Sequence, residues 1–259
     1  MRWIALILGS LLLATTAGAD PLSADRPGVT NPPDVVALGA IQLEGGIQLQ
    51  RETRGGGSNV DTVTLPQSLM RAGMPHSFEL RVYSDGWDFE TRSGERNRTS
   101  VNDLVIGSRV RVLDPEGLRP ATALELDVSL PTGSHAVTSD GIDPSGLLLV
   151  EWKIGDRFVL DGNLGLASVS LGEGESGRSF QVAPSLSLST SMGERGNVFI
   201  EYYSTLSSHG VADEHAVDGG FSWLVNDDLQ LDISASAGLN AAAPDYSVSA
   251  GFAWRFSLP

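Results

Sequence analysis

The chain has 259 residues, no cysteine, 30 glycines and a formal net charge of −15. The absence of cysteine excludes a disulfide-stapled domain, thiol catalysis and thiolate metal sites. The acidic excess argues against a nucleic-acid partner, because phosphate backbones repel a negatively charged surface. A hydrophobic content of 41% fits a soluble β protein and also a transmembrane barrel, in which half of each strand faces a polar lumen.

Residues 1–19 have the features of a secretory signal peptide. Arg2 precedes the apolar run 4–13, and small residues follow at 17–19. The mature chain is therefore predicted to begin near Asp20. No later run approaches the roughly 18 uninterrupted apolar residues of a membrane helix, so any membrane span must be formed by strands.

Residues 20–38 are predicted to form an irregular extension on the periplasmic side of the first strand, because they combine four prolines with no apolar periodicity. From residue 39 to residue 259 the pattern changes to alternating segments, each about as long as the 9 to 11 residues of a tilted spanning strand. The predicted strands are 39–51, 60–71, 76–85, 100–113, 119–130, 145–154, 157–170, 179–191, 196–206, 215–225, 228–239 and 245–256.

The links between these segments alternate in length. Long or Gly/Ser-rich links are predicted at 52–59, 86–99, 131–144, 172–178, 207–214 and 240–244, and short ones at 72–75, 114–118, 155–156, 192–195 and 226–227. Bacterial barrels place short turns in the periplasm and longer loops outside. The pattern predicts an all-β protein, a transmembrane antiparallel up-and-down barrel of about twelve strands in the bacterial outer membrane. A soluble β-sandwich is the alternative fold.

Large aromatic residues support the membrane interpretation. On a period-two reading they face outward near short turns or the C-terminus, where the lower aromatic girdle of a barrel belongs; they are Trp152, Phe158, Trp223, Trp254 and Phe256. The last strand, with its polar-x-Gly-x-x-apolar-x-aromatic pattern, resembles the C-terminal signature that outer-membrane barrels present to their assembly machinery. That machinery and outer-membrane lipid are the expected partners, together with a small-molecule solute.

The opposite face of the strands is charged and is predicted to line the lumen. Its charged candidates are Glu44, Glu79, Arg81, Asp103, Arg109, Arg111, Glu125, Asp127, Glu151, Lys153, Asp161, Glu201, Asp218, Asp232 and Arg255. Buried charges must be hydrated or paired. Acids outnumber bases in this set, so an open pathway should favour cations. A salt-bridge lattice filling a narrow barrel is equally compatible, since about twelve strands lies between filled and open barrels.

The N-terminal extension is a candidate plug. Its Asp25-Arg26-Pro27 core offers a guanidinium fork to inward carboxylates such as Glu44 or Glu79. Prolines reduce the entropy lost on ordering, which favours a fixed plug. A disordered tail is the alternative, because terminal residues are loose unless they are tied down.

No catalytic residue, cofactor or metal site is assigned. A barrel enzyme acting on outer-membrane lipid would need a nucleophile and a base in contact on the outer face. His76 is predicted at a short turn, and His135, His209 and His215 in long loops, which disfavours that chemistry. His209, Asp213 and His215 could bind a divalent metal, but solvated loop residues are the simpler interpretation.

Several runs resemble a known family of outer-membrane transporters named for the meta-cleavage pathway of phenol degradation. They are Asp25-Arg26-Pro27 and the runs 39–46 (GAIQLEGG), 78–81 (FELR), 102–107 (NDLVIG), 130–134 (LPTGS), 227–232 (DDLQLD) and 251–256 (GFAWRF). The resemblance implies a barrel that passes small molecules, with aromatic compounds among the candidates. We therefore expect a passive channel; a barrel enzyme and a filled structural barrel without transport are the alternatives.

Overall fold

The computed structural model describes residues 21–54, 58–92, 96–171, 177–208 and 212–257. Within these ranges the chain forms strands, turns and irregular segments. No helix in the described part of the chain is long and apolar enough to cross a membrane.

Fourteen strands make a single sheet. They are β1 (Ala40–Arg54), β2 (Ser58–Met74), β3 (Phe78–Ser84), β4 (Trp87–Arg92), β5 (Arg98–Val101), β6 (Leu104–Leu113), β7 (Ala121–Leu130), β8 (Asp143–Ile154), β9 (Phe158–Ser170), β10 (Arg178–Met192), β11 (Gly196–Ser207), β12 (Glu214–Asn226), β13 (Leu229–Gly238) and β14 (Tyr246–Ser257).

The sheet closes on itself because β1 pairs antiparallel with both β2 and β14. β3 and β4 pair with successive parts of β2 and together make one barrel strand, broken at Asp85 and Gly86. β5 and β6 make a second, broken at Asn102 and Asp103. Fourteen strands minus these two breaks give twelve barrel strands, each antiparallel to its neighbours. The predicted fold class and strand number are confirmed.

Two of the predicted long links were wrong. The stretch 86–99 contains β4 and the first half of the short strand β5, because its Trp87-Asp88-Phe89-Glu90 run alternates as a strand does. The link 52–59 is mostly strand as well, since β1 continues to Arg54 and β2 begins at Ser58. Residues 55–57 between them lie outside the described residues, as do 172–176 and 209–211 in two other predicted links.

The short links lie at one rim, together with the ends of β1 and β14 that begin and end the barrel. β8 is joined to β9 by 155–157, β10 to β11 by 193–195 and β12 to β13 by 227–228. Gly155 and Gly193 have φ values of 60° and 69°. That left-handed conformation has little steric cost for glycine, which permits such tight turns. We call this edge the short-turn rim; it corresponds to the periplasmic side of outer-membrane barrels.

The two faces of the barrel wall have opposite character. Large apolar side chains point outward, with Leu126 67% and Ile200 63% exposed, whereas charged side chains such as Arg109 and Glu79 are fully buried inside. A soluble sandwich would have the reverse arrangement, so that alternative is excluded. The predicted girdle aromatics follow the same outward phase, and Trp223 pairs with Leu231 beside the β12–β13 turn.

A β-bulge changes the phase of β2. Gly46 pairs with Gln67 and Gln48 with Thr64, so the residues between them number one in β1 and two in β2. An extra residue in one strand moves every later side chain to the other face. As a result Thr64 and Gln67 both face the lumen although they are three positions apart, and so does Arg71, which is completely buried.

We expect a charged side chain on the outward face to destabilise the barrel in a bilayer. Ile200→Arg, near the middle of β11, should lower the free energy of unfolding by about 2–4 kcal/mol, the cost of a lipid-facing arginine at mid-membrane. Denaturant unfolding in lipid vesicles, followed by tryptophan fluorescence, measures this. Leu118→Arg is the control, because Leu118 is 95% exposed in the β6–β7 turn. Equal effects of the two changes would contradict the assignment of the lipid-facing surface.

Candidate functional site

Residues 21–38 lie inside the barrel as an irregular chain, which we call the N-terminal segment. Near its start the Leu22 amide donates to the Asp227 carbonyl in the β12–β13 turn at 2.9 Å. At the other end the Gly39 amide donates to the Gly73 carbonyl at 3.3 Å. Both anchors are at the short-turn rim, so the segment enters the lumen and returns. Its backbone polar groups must find partners among wall side chains, because no neighbouring strand supplies them.

The carboxylate of Asp25 is held by three arginines of the barrel wall. Arg109 forms a fork on it, with Nη1 3.0 Å from Oδ1 and Nη2 2.9 Å from Oδ2. Arg81 Nη2 lies 2.6 Å from Oδ2, and Arg71 Nη1 lies 3.3 Å from Oδ1. We call these three residues the arginine cluster. Arg71 and Arg109 have no exposed surface, and removing one partner of a buried ion pair costs about 3–5 kcal/mol.

Asp25 is an anion at physiological pH. Burial raises the pKa of its carboxyl, but the charges of Arg109, Arg71 and Arg81 outweigh burial and hold the pKa well below its ordinary value. Because the pKa of Asp25 is lower in the folded than in the unfolded chain, its ion pairs with the three arginines stabilise the folded state at neutral pH. That stabilisation is lost only when the pH falls below the ordinary pKa of a carboxyl group.

Three wall glutamates complete the pairing of the arginine cluster. Glu79 Oε1 lies 2.7 Å and 3.0 Å from two of the guanidinium groups. Glu125 Oε2 accepts from the third at 2.7 Å, and Glu44 Oε1 lies 3.2 Å from a cluster nitrogen. The three positive charges are therefore matched by three negative charges on the wall, and Asp25 adds one further negative charge.

Arg26 points away from the arginine cluster toward the seam between β1 and β14. Its Nη2 pairs with Asp232 at 3.1 Å and its Nη1 donates to Gln67 at 3.1 Å. The guanidinium lies against two glycines of facing strands: a Cβ at Gly46 would be 2.5 Å from its central carbon, and one at Gly251 would collide with its Nε. These glycines provide the space that the side chain occupies.

The predicted fork of Arg26 on Glu44 or Glu79 was wrong. Glu79 is occupied by the arginine cluster, and Glu44 accepts the backbone amides of Asp25 and Arg26, each at 3.1 Å. Both carboxylates already have partners, so the Arg26 side chain donates instead to Gln67 and Asp232. Sequence reasoning identified the correct type of residue and the wrong partner.

The far wall holds the next part of the segment. Glu201 Oε1 accepts the Val29 amide at 2.6 Å, and its Oε2 accepts the Thr30 amide at 2.9 Å. Asn163 bonds Asn31 twice, accepting its amide at 2.7 Å and donating to its carbonyl at 2.9 Å. The segment is thus fixed on both sides of the lumen.

The returning part of the segment is held on the arginine side. Asp34 Oδ1 pairs with Arg111 at 2.7 Å, and the Val36 amide donates to Glu79 Oε2 at 2.8 Å.

Earlier in the segment, the Pro27 carbonyl faces β13, where it accepts a hydrogen bond from the Ser234 hydroxyl at 3.4 Å.

Acidic side chains occupy neighbouring positions on the wall opposite the arginine cluster. Glu151 pairs in register with Asp161, Asp161 with Ser187, Ser187 with Glu201, and Glu201 with Asp218. The four acids of this row form what we call the acidic arc. Within the described part of the chain, Oδ1 of Asp161 and Oδ1 of Asp218 have no hydrogen-bond partner. The acidic arc therefore includes carboxylates that are incompletely paired, whereas Glu201 uses both of its oxygens to hold the segment.

Two cavities adjoin the N-terminal segment, and Asp25 and Arg26 line both. A cavity of 560 Å³ reaches Asp161 on the acidic arc and Arg195 at the short-turn rim. A second cavity, of 240 Å³, extends to Asp85 at the break between β3 and β4. The segment separates the two spaces.

Asp103 does not lie beside the segment. Its Oδ1 accepts the Gly133 amide at 2.7 Å and its Oδ2 accepts the Thr138 hydroxyl at 3.0 Å. It sits at the break between β5 and β6, where it anchors the 131–142 link. Its position next to the break explains why a strand-phase argument misplaced it.

The remaining predicted lumen residues divide into three groups. Those bonded to the N-terminal segment or to the arginine cluster are Glu44, Glu79, Arg81, Arg109, Arg111, Glu125, Glu201 and Asp232. Wall positions that make no hydrogen bond to the segment, within the described residues, are Asp127, Glu151, Asp161 and Asp218. Lys153 lies exposed near the short-turn rim, and Arg255 pairs there with Asp228 at 2.9 Å.

Arg71 is the main residue that sequence reasoning missed. A strict period-two reading of 60–71 assigns position 71 to the same face as Val63, which pairs with the outward-facing Leu49. The bulge opposite Ile47 reverses that phase. Leu65-Pro66 was the available signal, since proline inside a strand pattern marks an edge or a bulge.

The histidines are placed differently from the prediction in one case. His215 lies in β12 with an outward phase and shares a 2.7 Å hydrogen bond with the Tyr202 hydroxyl. His135 contacts Asp140 at 3.0 Å in the 131–142 link, and His76 is at the β2–β3 turn as predicted. His209 lies outside the described residues. Among the described residues no group of acids and histidines could hold a metal ion.

Comparisons with known proteins agree with this architecture. The sequence pattern of the family described as "Putative MetA-pathway of phenol degradation" matches residues 24–256, which confirms the resemblance. No curated protein matches the chain at a significant level.

Solved structures share the fold at low sequence identity. An outer membrane channel from Pseudomonas putida F1 superposes with a TM-score of 0.64 at 12% identity, covering 86% of this chain and 97% of that one. The NanC porin gives 0.54 at 8% identity, covering 83% and 98%. The translocator domain of the autotransporter NalP from Neisseria meningitidis gives 0.55 at 10%, covering 84% and 88%.

We expect Gly46→Ala to act through Arg26, because the atoms nearest to an added Cβ there all belong to its guanidinium. The added methyl collides with the guanidinium, and overpacking of this kind costs about 1–3 kcal/mol in the free energy of unfolding. Arg26→Ala removes the obstacle, so the double variant should lose less stability than the two single changes summed. Denaturant unfolding of all four proteins measures the coupling.

Gly146→Ala is the matched control, because a Cβ there makes an ordinary 3.4 Å contact on the outer face. Strict additivity of Gly46→Ala and Arg26→Ala would show that Arg26 does not occupy the seam.

Proposed function

Because the chain belongs to the family described as "Putative MetA-pathway of phenol degradation", we propose that it is a passive channel for small solutes in the bacterial outer membrane. The observation that carries the proposal is the pair of cavities, 560 Å³ and 240 Å³, that meet at the N-terminal segment. A path between them needs displacement of that segment and no change in the barrel wall.

The N-terminal segment is the constriction of this channel. It touches both the arginine cluster and Glu201 on the far wall, so it crosses the full width of the lumen. Between its two backbone anchors, the segment is held by hydrogen bonds and ion pairs to wall side chains, and these can break without a change in the strand pairing of the wall. The lumen in this conformation is narrow, and flux requires the segment to shift.

The family description and the similar structures indicate the class of cargo. The description refers to phenol degradation, and two of the similar structures are those of an outer membrane channel and a porin. Small aromatic compounds are thus the first solutes to test. Export through a signal peptide at 1–19, insertion by the barrel assembly machinery and contact with outer-membrane lipid belong to the same proposal.

A filled barrel without transport is the second candidate, favoured by the buried ion pairs that fix Asp25. A lipid-acting enzyme has less support, because the outward His215 bonds a tyrosine hydroxyl and not a serine. A measurable single-channel conductance distinguishes the channel from both alternatives, because neither a filled barrel nor a lipid-acting enzyme needs an open path.

Deleting residues 20–33 should raise single-channel conductance several-fold in planar bilayers, because the deletion removes the chain that crosses the lumen. Val29→Ala is the control: the Val29 side chain is 49% exposed and its bond to Glu201 uses the backbone amide. Conductance and current noise that are the same with and without residues 20–33 would rule out the segment as the constriction.

The acidic arc should set the ion preference of the open path. Neutralising Glu151 and Asp161 together, as Gln and Asn, should reduce cation selectivity, because both carboxylates line the 560 Å³ cavity and focus cations there. The reversal potential in a KCl gradient measures the change. Glu116→Gln, which alters an exposed acid in the β6–β7 turn, should leave it unaltered. A reversal potential insensitive to the double change would place the ion path elsewhere.

A further inference from the structure

The arginine cluster depends on the N-terminal segment for its acceptors. Arg109 Nη1 bonds Asp25 Oδ1 at 3.0 Å, the Pro32 carbonyl at 3.0 Å and the Asp34 carbonyl at 3.1 Å, all of which belong to the segment. Arg71 likewise donates to the Asp34 carbonyl at 2.8 Å, besides its bonds to wall glutamates. When the segment moves, these guanidinium groups keep their wall glutamates but lose the acceptors that the segment supplies, and an unsatisfied buried donor is unfavourable.

The charge balance specifies what can replace the segment. The three arginines face three wall glutamates at hydrogen-bond distance, and the cluster in this conformation holds one additional carboxylate, that of Asp25. A ligand carrying one negative charge restores that state. A dianion would bind less well, because the wall glutamates would repel its second charge. A cation would bind less well because the guanidinium groups would repel it.

The geometry specifies a carboxylate. Two nitrogens of Arg109 meet the two oxygens of Asp25 in parallel, and Arg81 donates to the second oxygen at 2.6 Å. Such forks match the planar shape of a carboxylate. Asp25 and Arg81 also line the 240 Å³ cavity, which is smaller than the roughly 300–1,000 Å³ of drug-sized ligand sites. A ligand arriving through this cavity must be small.

Resting on the proposed channel function, we propose that Arg71, Arg81 and Arg109 form a binding site for a small monocarboxylate solute. Asp25 occupies this site as an internal ligand when the channel is closed. A solute carboxylate competes with Asp25 for the same donors and thereby favours the displaced position of the N-terminal segment. The acidic arc excludes anions in general, so the arginine cluster selects carboxylates by geometry and not by overall charge.

Asp25→Ala empties the site, and acetate supplies the missing group. The thermal unfolding of the purified variant in detergent should be shifted upward by sodium acetate in a saturable way, because a ligand that binds the folded state stabilises it. Sodium chloride at equal concentration controls for ionic strength, and acetamide, which has the same size and no charge, should have no effect. The wild-type chain should need at least about tenfold more acetate, since Asp25 occupies the site in most molecules.

Asp34→Ala is the matched control variant, because Asp34 lies on the same segment and its carboxylate pairs with Arg111 outside the cluster. Asp25→Asn keeps the side-chain shape and should show a smaller acetate response than Asp25→Ala. An Asp25→Ala chain that refolds only with acetate also supports the site. The proposal is overturned if acetate gives no response with either Asp25 variant, or an equal response with Asp34→Ala or acetamide. Binding is read in detergent without conductance, so its failure is distinct from failure of the channel.

Discussion

Buried guanidinium groups must keep hydrogen-bond acceptors, and this requirement organises the interior of the barrel. Arg71 and Arg109 have no exposed surface, and a twelve-stranded wall is too wide for its own side chains to fill. Three wall glutamates meet part of the demand, and the N-terminal segment supplies the rest through Asp25 and its backbone carbonyls. The segment is ordered inside the lumen because it completes the hydrogen bonding of these wall arginines.

The segment can approach the barrel wall closely because glycines, which have no side chain, lie along its path in addition to the paired charges. Gly46 and Gly251 give Arg26 its place at the seam where the first and last strands meet, and Gly73 lies against the backbone of Ala37 where the segment leaves the lumen. Any Cβ at these positions would occupy volume that the segment fills. Polar complementarity and steric room therefore coincide along the same path.

The two sides of the lumen perform different tasks. The arginine side fixes Asp25 through ion pairs, whereas the acidic arc on β8 to β12 retains two carboxylate oxygens without partners among the described residues, and two of its acids, Glu151 and Asp161, line the larger cavity. Fixed ion pairs suit selective binding, and incompletely paired acids such as Asp161 suit attraction of mobile cations. The asymmetry lets one barrel combine a specific site with a general electrostatic preference.

The sequence by itself determined the barrel: period-two alternation, short links such as 155–156 and outward aromatics such as Trp223 are local features, each readable within one strand or hairpin. It also indicated that the Arg26 guanidinium could bind inward carboxylates. The tertiary structure decided which partners they have, because Arg26 and Asp232 are 206 positions apart and their meeting depends on barrel closure. It also decided that Arg71 faces inward, since one bulge opposite Ile47 reverses the phase of β2, and the register of paired strands is a property of two segments together.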